Sequence, residues 1–345
     1  MGFPDNPVMR LPRRSPSWRA RLLLVVALAA FAACADENTW LGYWSLHLPG
    51  GGAGWLGIST NATGIDVQML WAGGSVFPVK DAHVVGNQLV LVRHRSATAK
   101  VAGQPSVSVT EIITGTFGGG ERIKLVSVTS RPDGPPRRVE FDGHRQSPPP
   151  PAPDLSRLQF GAPIELFNGT NLDGWAPVEN NAVNGWHAEN GLLVNTQARE
   201  PGERRSFANL RTVAEFADFS LHAETRVPKE GNSGIYLRGT DEVQIFDSYG
   251  KAVDSHNMGA IYSRITPRVA AEKPAGEWQT VDILYVARHA SVTLNGVKII
   301  DNQAVLGPTG GALWPEMDRP GPIYLQGDHT GIEYRNLVLR PVLGE

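Results

Sequence analysis

The chain has a single cysteine among its 345 residues, Cys34, and so forms no intramolecular disulfide. It also lacks an excess of positive charge. Its 32 Lys and Arg stand against 34 Asp and Glu, a formal net charge of -2. The attraction to a phosphate backbone that drives nucleic-acid binding is therefore missing, and nucleic acid is excluded as a partner. No apolar run is long enough to cross a bilayer as a helix; the run from Leu22 to Phe31 is too short. Long helical periods are missing as well. What remains is a chain with 38 Gly, 26 Pro and 9 Trp, the composition of a globular β protein.

Residues 1–35 read as a processing signal, because Arg10, Arg13, Arg14, Arg19 and Arg21 precede the apolar run. The run ends in Phe31-Ala-Ala-Cys34, which is similar to a bacterial lipobox with Phe31 at the place usually held by Leu. The expectation is an exported protein, periplasmic or on the cell surface, held to the membrane by a lipid on Cys34. Cleavage at a nearby small residue without lipidation is the alternative. The pair Arg13-Arg14 is followed by Ser-Pro, which does not suit twin-arginine export.

Roughly 310 residues remain after that segment, more than one typical core, and predict two domains. A Pro-rich segment over 147–159, with Pro148 to Pro151 unable to donate ladder hydrogen bonds, predicts a semi-rigid spacer between residues 38–146 and 160–345. In residues 38–146 short strand patterns recur, among them Tyr43 to Leu48, Ile65 to Trp71, Val107 to Thr116 and Lys124 to Thr129, punctuated by Gly, Asn, Asp and Pro. A small antiparallel β-barrel or sandwich closes such strands without long exposed edges. Trp40, Trp44, Trp55 and Trp71 are expected chiefly in its packing rather than in a sugar-stacking platform. His47, His83, His94 and His144 show no metal-ligand spacing. The role of this half is not readable.

The second half continues as strands, with Asn295-Gly296 marking a hairpin. Phe219 to Val227 alternates, placing Phe219, Leu221 and Ala223 inward and His222, Glu224 and Arg226 outward. From Gly231 to Asp247, Ile235, Leu237, Val243 and Ile245 fall on one face, while Tyr236, Arg238, Glu242 and Gln244 fall on the other. These are expected to extend one polar surface together with Glu224.

Six segments in order, Phe167-Asn-Gly-Thr-Asn-Leu-Asp-Gly-Trp175, Gly231-Asn-Ser-Gly-Ile-Tyr-Leu-Arg238, Glu242-Val-Gln-Ile-Phe-Asp247, Gly259-Ala-Ile-Tyr262, Lys273-Pro-Ala-Gly-Glu-Trp278 and Ile323-Tyr-Leu-Gln-Gly-Asp-His329, carry a likeness. Over about residues 160–342 the sequence resembles the bacterial 3-keto-disaccharide hydrolase family. Gln279 after Trp278 and the extra Gly327 depart from its pattern. The resemblance implies an all-β fold whose C-terminal part is a concanavalin-like jelly-roll sandwich, and a carbohydrate substrate oxidised at C3.

A C3 ketone acidifies the C2 proton, so the chemistry needs a base for that proton, a donor for the enolate oxygen and an acid for the departing C1 oxygen. Glu242 is the first choice of base, and Asp247 and His329 are the further catalytic candidates. Arg238 and Lys273 are candidates to hold the oxyanion, or else to neutralise Glu242. Asn232, Tyr236, Gln244, Gln326 and Glu224 are the candidate sugar-binding groups. Asp247 reaches the Glu242 face only if a bulge follows Gln244. Such a strand is similar to the Glu-x-Asp-x-x-Glu strand of laminarinase-like glycosidases, although a two-carboxylate mechanism is less suited to the shortened Asp247. A non-catalytic carbohydrate-binding module is the other alternative. The sequence requires no cofactor, and a divalent metal is left open; Glu224 with His222 supplies only two ligands.

Overall fold

The computed structural model describes residues 39–62, 64–98, 105–197 and 206–344. Cys34 and the leader expected over residues 1–35 lie outside the described residues. Among those described there is no α-helix, and the sheets are built from antiparallel strand pairs.

Residues 42–146 form one nine-stranded sheet. The strand Gly42–His47 pairs with Ala53–Asn61 on one side and with Gly134–Gln146 on the other. Alternation explains its curl: Trp44 and Leu46 point into a core with Leu56, Ile58, Met69, Leu89, Leu91, Ile113 and Leu125, while Ser45 and His47 point out of it. Trp40 and Trp44 are fully buried and Trp71 packs against the same core. Three of the four tryptophans are thus packing. Trp55 is buried differently, stacked on Tyr43 at 5.7 Å and capped by the Arg264 guanidinium at 4.0 Å.

The remainder is a sandwich, an all-β jelly roll of a larger and a smaller sheet. The larger contains Trp186–Glu189, Leu192–Asn195, Ile332–Gly344, Phe219–Arg226, Gln279–Val286, His289–Leu294 and Val297–Ala304 in that spatial order. The smaller contains Trp175–Pro177, Leu210–Thr212, Tyr324–Leu325, Asn232–Leu237 and Asp241–Phe246. Their facing sides share one core, with Phe219, Leu221, Val281, Ile283 and Leu339 against Leu210, Ile235, Val243, Ile245 and Leu325. The Asn295-Gly296 turn, both residues at positive φ, closes the expected hairpin.

The Pro-rich segment is docked rather than free. The Ser147 carbonyl accepts from Arg288 at 2.8 Å and the Pro153 carbonyl from Asn302 at 3.0 Å. The curled sheet also packs directly on the sandwich. Ser45 Oγ donates to Pro315 O at 2.9 Å, Gln146 Nε2 to Leu306 O at 2.9 Å, and Gly311 N to Ala72 O at 3.1 Å. Residues 305–317 therefore form a strap between the two.

Candidate functional site

The outer face of the smaller sheet carries the site. Cross-strand register aligns Arg211 with Tyr324, Tyr324 with Tyr236, and Tyr236 with Glu242. One row of side chains thus crosses four adjacent strands. At roughly 4.8 Å per strand, its ends are about 14 Å apart at the backbone. The rings of Tyr236 and Tyr324 stack at 4.1 Å, 10° from parallel. Beside this row lie Gln244, opposite Gly234, and Gln326, whose N–H donates to the Gly234 carbonyl.

Glu242 is only 3 % exposed. Burial pushes its carboxyl up to about 8, with the Asp328 carboxylate adding to the rise and the Tyr236 hydrogen bond opposing it. Tyr236 Oη lies 3.0 Å from Glu242 Oε2 and 2.7 Å from the Gly310 carbonyl oxygen. The Gln244 amide fits with its nitrogen toward Ser233 O at 3.1 Å and Glu242 Oε1 at 3.0 Å, its oxygen meeting the Asn232 side chain at 3.2 Å. The Glu242 N–H donates to Thr309 Oγ1 at 2.9 Å. Gly234 makes room for all of this, since a Cβ there would come within 2.2 Å of Glu242 Oε1.

His329 holds Asp328 through Nδ1 at 2.6 Å, and that carboxylate raises the imidazole above its ordinary range. Both residues are exposed, and the next residue, Thr330, accepts from the Asn232 N–H at 2.8 Å and donates to the Asn232 carbonyl at 2.9 Å, which sets this loop beside the row. Gln326 is 8 % exposed and its Oε1 has no hydrogen-bond partner. It is a buried acceptor with no donor among the described residues.

Four expected placements are corrected. Arg238 leaves the Glu242 face because it sits at φ 53° in the turn that ends its strand. Its guanidinium lies over the Tyr285 ring at 4.7 Å and donates to the Tyr285 hydroxyl at 3.3 Å, and that hydroxyl donates to Asp241 Oδ2 at 2.5 Å. Burial pushes Asp241, on the core side, up to about 6. Asp247 follows an unshifted register from Asn232↔Phe246 to Leu237↔Asp241, so no bulge carries it to the Glu242 face. Its carboxylate caps the Glu230 N–H at 2.8 Å instead. Glu224 belongs to the larger sheet, outside the core, paired with Arg335 at 2.6 Å and Asn336 at 2.6 Å. Lys273 is exposed and donates to the Trp278 carbonyl at 3.0 Å.

Glu242, Gln244, Asn232, Tyr236, Gln326 and His329 are thus the candidates brought together. Arg211 and Tyr324 were not expected. Among the described residues the Arg211 side chain makes no hydrogen bond or ion pair, which leaves its planar fork available to a ligand. The only signal for Arg211 is the alternation Leu210-Arg211-Thr212, too short to register as a strand. Two open clefts lie elsewhere, one lined by Ser220, His222 and Asp282 and another by Asn195, Arg226 and Glu333, and neither contains Glu242. The site is identified from its chemistry, because those clefts hold surface ion pairs and no buried titratable group.

Among solved structures, a "putative glycosyl hydrolase" of Parabacteroides distasonis is 28% identical, covering 56% of this chain and 93% of its own with a TM-score of 0.43. A second from that organism is 21% identical, covering 52% and 93% with a TM-score of 0.42. No curated protein sequence matches the chain. The 3-keto-alpha-glucoside-1,2-lyase-like domain profile matches residues 162–340, which hold both sheets of the sandwich and the whole Arg211 to Glu242 row, and the chain belongs to that family.

Proposed function

We propose that the protein cleaves 3-keto-glycosides by elimination across C1 and C2 followed by addition of water. The observation that carries this reading is the buried Glu242 carboxyl, set in hydrogen-bonding range of Gln244 and Tyr236 and in one cross-strand row with Arg211, whose side chain has no partner among the described residues. Burial makes Glu242 a stronger base than a free carboxylate, which suits removal of a carbon-bound proton next to a ketone.

In this mechanism the Glu242 carboxylate takes the C2 proton, and the electron pair moves to the C3 oxygen as an enolate. The Arg211 guanidinium holds that oxygen. The enolate collapses to a C1=C2 double bond as the C1–O bond breaks, and His329 Nε2–H protonates the departing oxygen. Water then adds a hydroxyl at C1 and a proton at C2, giving net hydrolysis. Gln326 Oε1, Gln244 and Asn232 supply acceptors and donors for sugar hydroxyls. A direct two-carboxylate glycosidase is less favoured, because Asp247 is turned away and its partner would be absent.

Incubation of the purified protein with a 3-keto-disaccharide and with its unoxidised parent tests the reading. Consumption of the keto sugar alone is expected. Binding without turnover would instead make the sandwich a carbohydrate-binding module. We extend the proposal to location: export with a lipid on Cys34 holds the enzyme at the membrane, and Cys34→Ser is expected to release it to the soluble fraction.

A further inference from the structure

The curled sheet brings together side chains that sequence spacing kept apart. His47 and Asp142 are directly paired across Gly42–His47 and Gly134–Gln146, and His144 stands two residues further along the second strand on the same face. The rings of His47 and His144 are 5.5 Å apart, as diagonal neighbours on an antiparallel pair should be. Across the contact with the sandwich, Glu316 of the strap places Oε1 2.8 Å from His47 Nε2. Ligand atoms of His47, His144 and Glu316 all lie within 4.8 Å of one another.

The protonation of His47 sharpens this arrangement. Its Nδ1 faces Asp142 at 3.3 Å while its Nε2 faces Glu316. A neutral imidazole has one N–H and cannot donate to both carboxylates. The tautomer that donates Nδ1–H to Asp142 presents the Nε2 lone pair toward Glu316, an arrangement repeatedly found behind metal-binding histidines. In that tautomer two acceptors, Nε2 and the Glu316 carboxylate, face each other, and a cation between them satisfies both. Donor atoms around a tetrahedral zinc-type ion are about 3.4 Å apart, so small side-chain rotations convert the present spacing into a coordination shell. His47 is about half exposed, and solvent reaches the cluster.

We infer that His47, His144 and Glu316 bind one divalent ion of the zinc class, with water in the remaining position, and that this ion clasps the curled sheet to the strap. Two imidazoles and one carboxylate suit zinc over magnesium or calcium, which prefer oxygen shells. The clasp has a route to the site, because residues 309 and 310 of the same strap touch Glu242 and Tyr236.

The test is titration of the chelator-treated protein with Zn²⁺ against a chromogenic competitor, with Mg²⁺ as a control, alongside thermal unfolding with and without the ion. One equivalent of zinc, no competition from Mg²⁺, and a zinc-dependent rise in Tm are expected. His144→Ala is the diagnostic variant. The His144 ring makes no hydrogen bond among the described residues, so its removal should leave the zinc-free Tm unchanged while weakening zinc uptake at least tenfold and abolishing the rise. Glu316→Gln is expected to weaken uptake likewise. Absence of uptake, or uptake that is the same in His144→Ala, would overturn the inference.

Discussion

Tyr236 and Glu242 face each other across adjacent strands, and the one hydroxyl proton of Tyr236 is claimed by two oxygens, Glu242 Oε2 at 3.0 Å and Gly310 O at 2.7 Å. A carbonyl can only accept. While Glu242 is neutral its own carboxyl proton can bridge to Tyr236 and leave the Tyr236 hydroxyl to Gly310; once ionised, Glu242 accepts from Tyr236 instead. This agrees with burial holding Glu242 near 8.

The proposed base must lose that proton before it can work. Turnover, measured as kcat/KM for a 3-keto-disaccharide, is expected to rise with pH through about 8 as Glu242 ionises. A rate that falls through the same window would make Glu242 the acid of the reaction and reverse the assignment.

Glu242→Gln is expected to cut turnover by at least about 10²-fold while making the protein more stable at neutral pH. Between the ordinary 4.5 and about 8 the unfolded chain has released the Glu242 proton and the native state keeps it. Wild-type stability thus falls as pH rises through that window, a cost of about 3 kcal/mol at pH 7 that Gln does not bear. Denaturant unfolding of both proteins at pH 4 and pH 7 measures the difference, which should be seen only at the higher pH.

Gly234→Ala places a methyl within 2.2 Å of Glu242 Oε1 and 2.7 Å of its Cγ. The carboxyl has to swing away from Gln244 and Tyr236. Lost stability of about 1 to 3 kcal/mol should accompany a fall in kcat larger than the change in KM, read from steady-state kinetics.

Two arginines in the same sheet should respond oppositely. Arg211→Met is expected to lower turnover about 10²-fold, as for removal of an oxyanion donor, with Tm unchanged, because its side chain holds no partner among the described residues. Arg238→Met removes the cation from the buried Tyr285–Asp241 cluster. It should cost about 3 kcal/mol or more of stability. Equal loss of turnover with a normal melting curve in both would undo the distinction between them.

Much of the fold was legible because alternation is a local property. Ile235 and Leu237 against Tyr236, and Val243 and Ile245 against Glu242, keep the faces that a period of two assigns. The same rule failed at Arg238, where a positive φ at the turn takes the side chain off the pleat; at Asp247 strict alternation keeps the carboxylate off the Glu242 face, and the unshifted register leaves no bulge to return it. Glu224 shows the limit of pattern reasoning most plainly. Its outward face was correctly inferred, but alternation says nothing about which of two sheets a strand joins. Arg211 escaped because Leu210–Thr212 is too short to carry a period, and its place is set by pairing with Tyr324.

The contact between Gly310 and Gly74 has a consequence for dissection. A Cβ on Gly310 would come within 2.1 Å of the Gly74 carbonyl oxygen, so the two backbones abut, and the opposite side of the same peptide receives the Tyr236 hydroxyl. The jelly roll is therefore not expected to behave as a portable module. Excising it after the Pro-rich segment would strip the buttress from the peptide that holds Tyr236 and leave the Arg264 guanidinium without the Trp55 ring that covers it. The family match ends at the sandwich, but the contacts that brace it extend through the sheet in front of it.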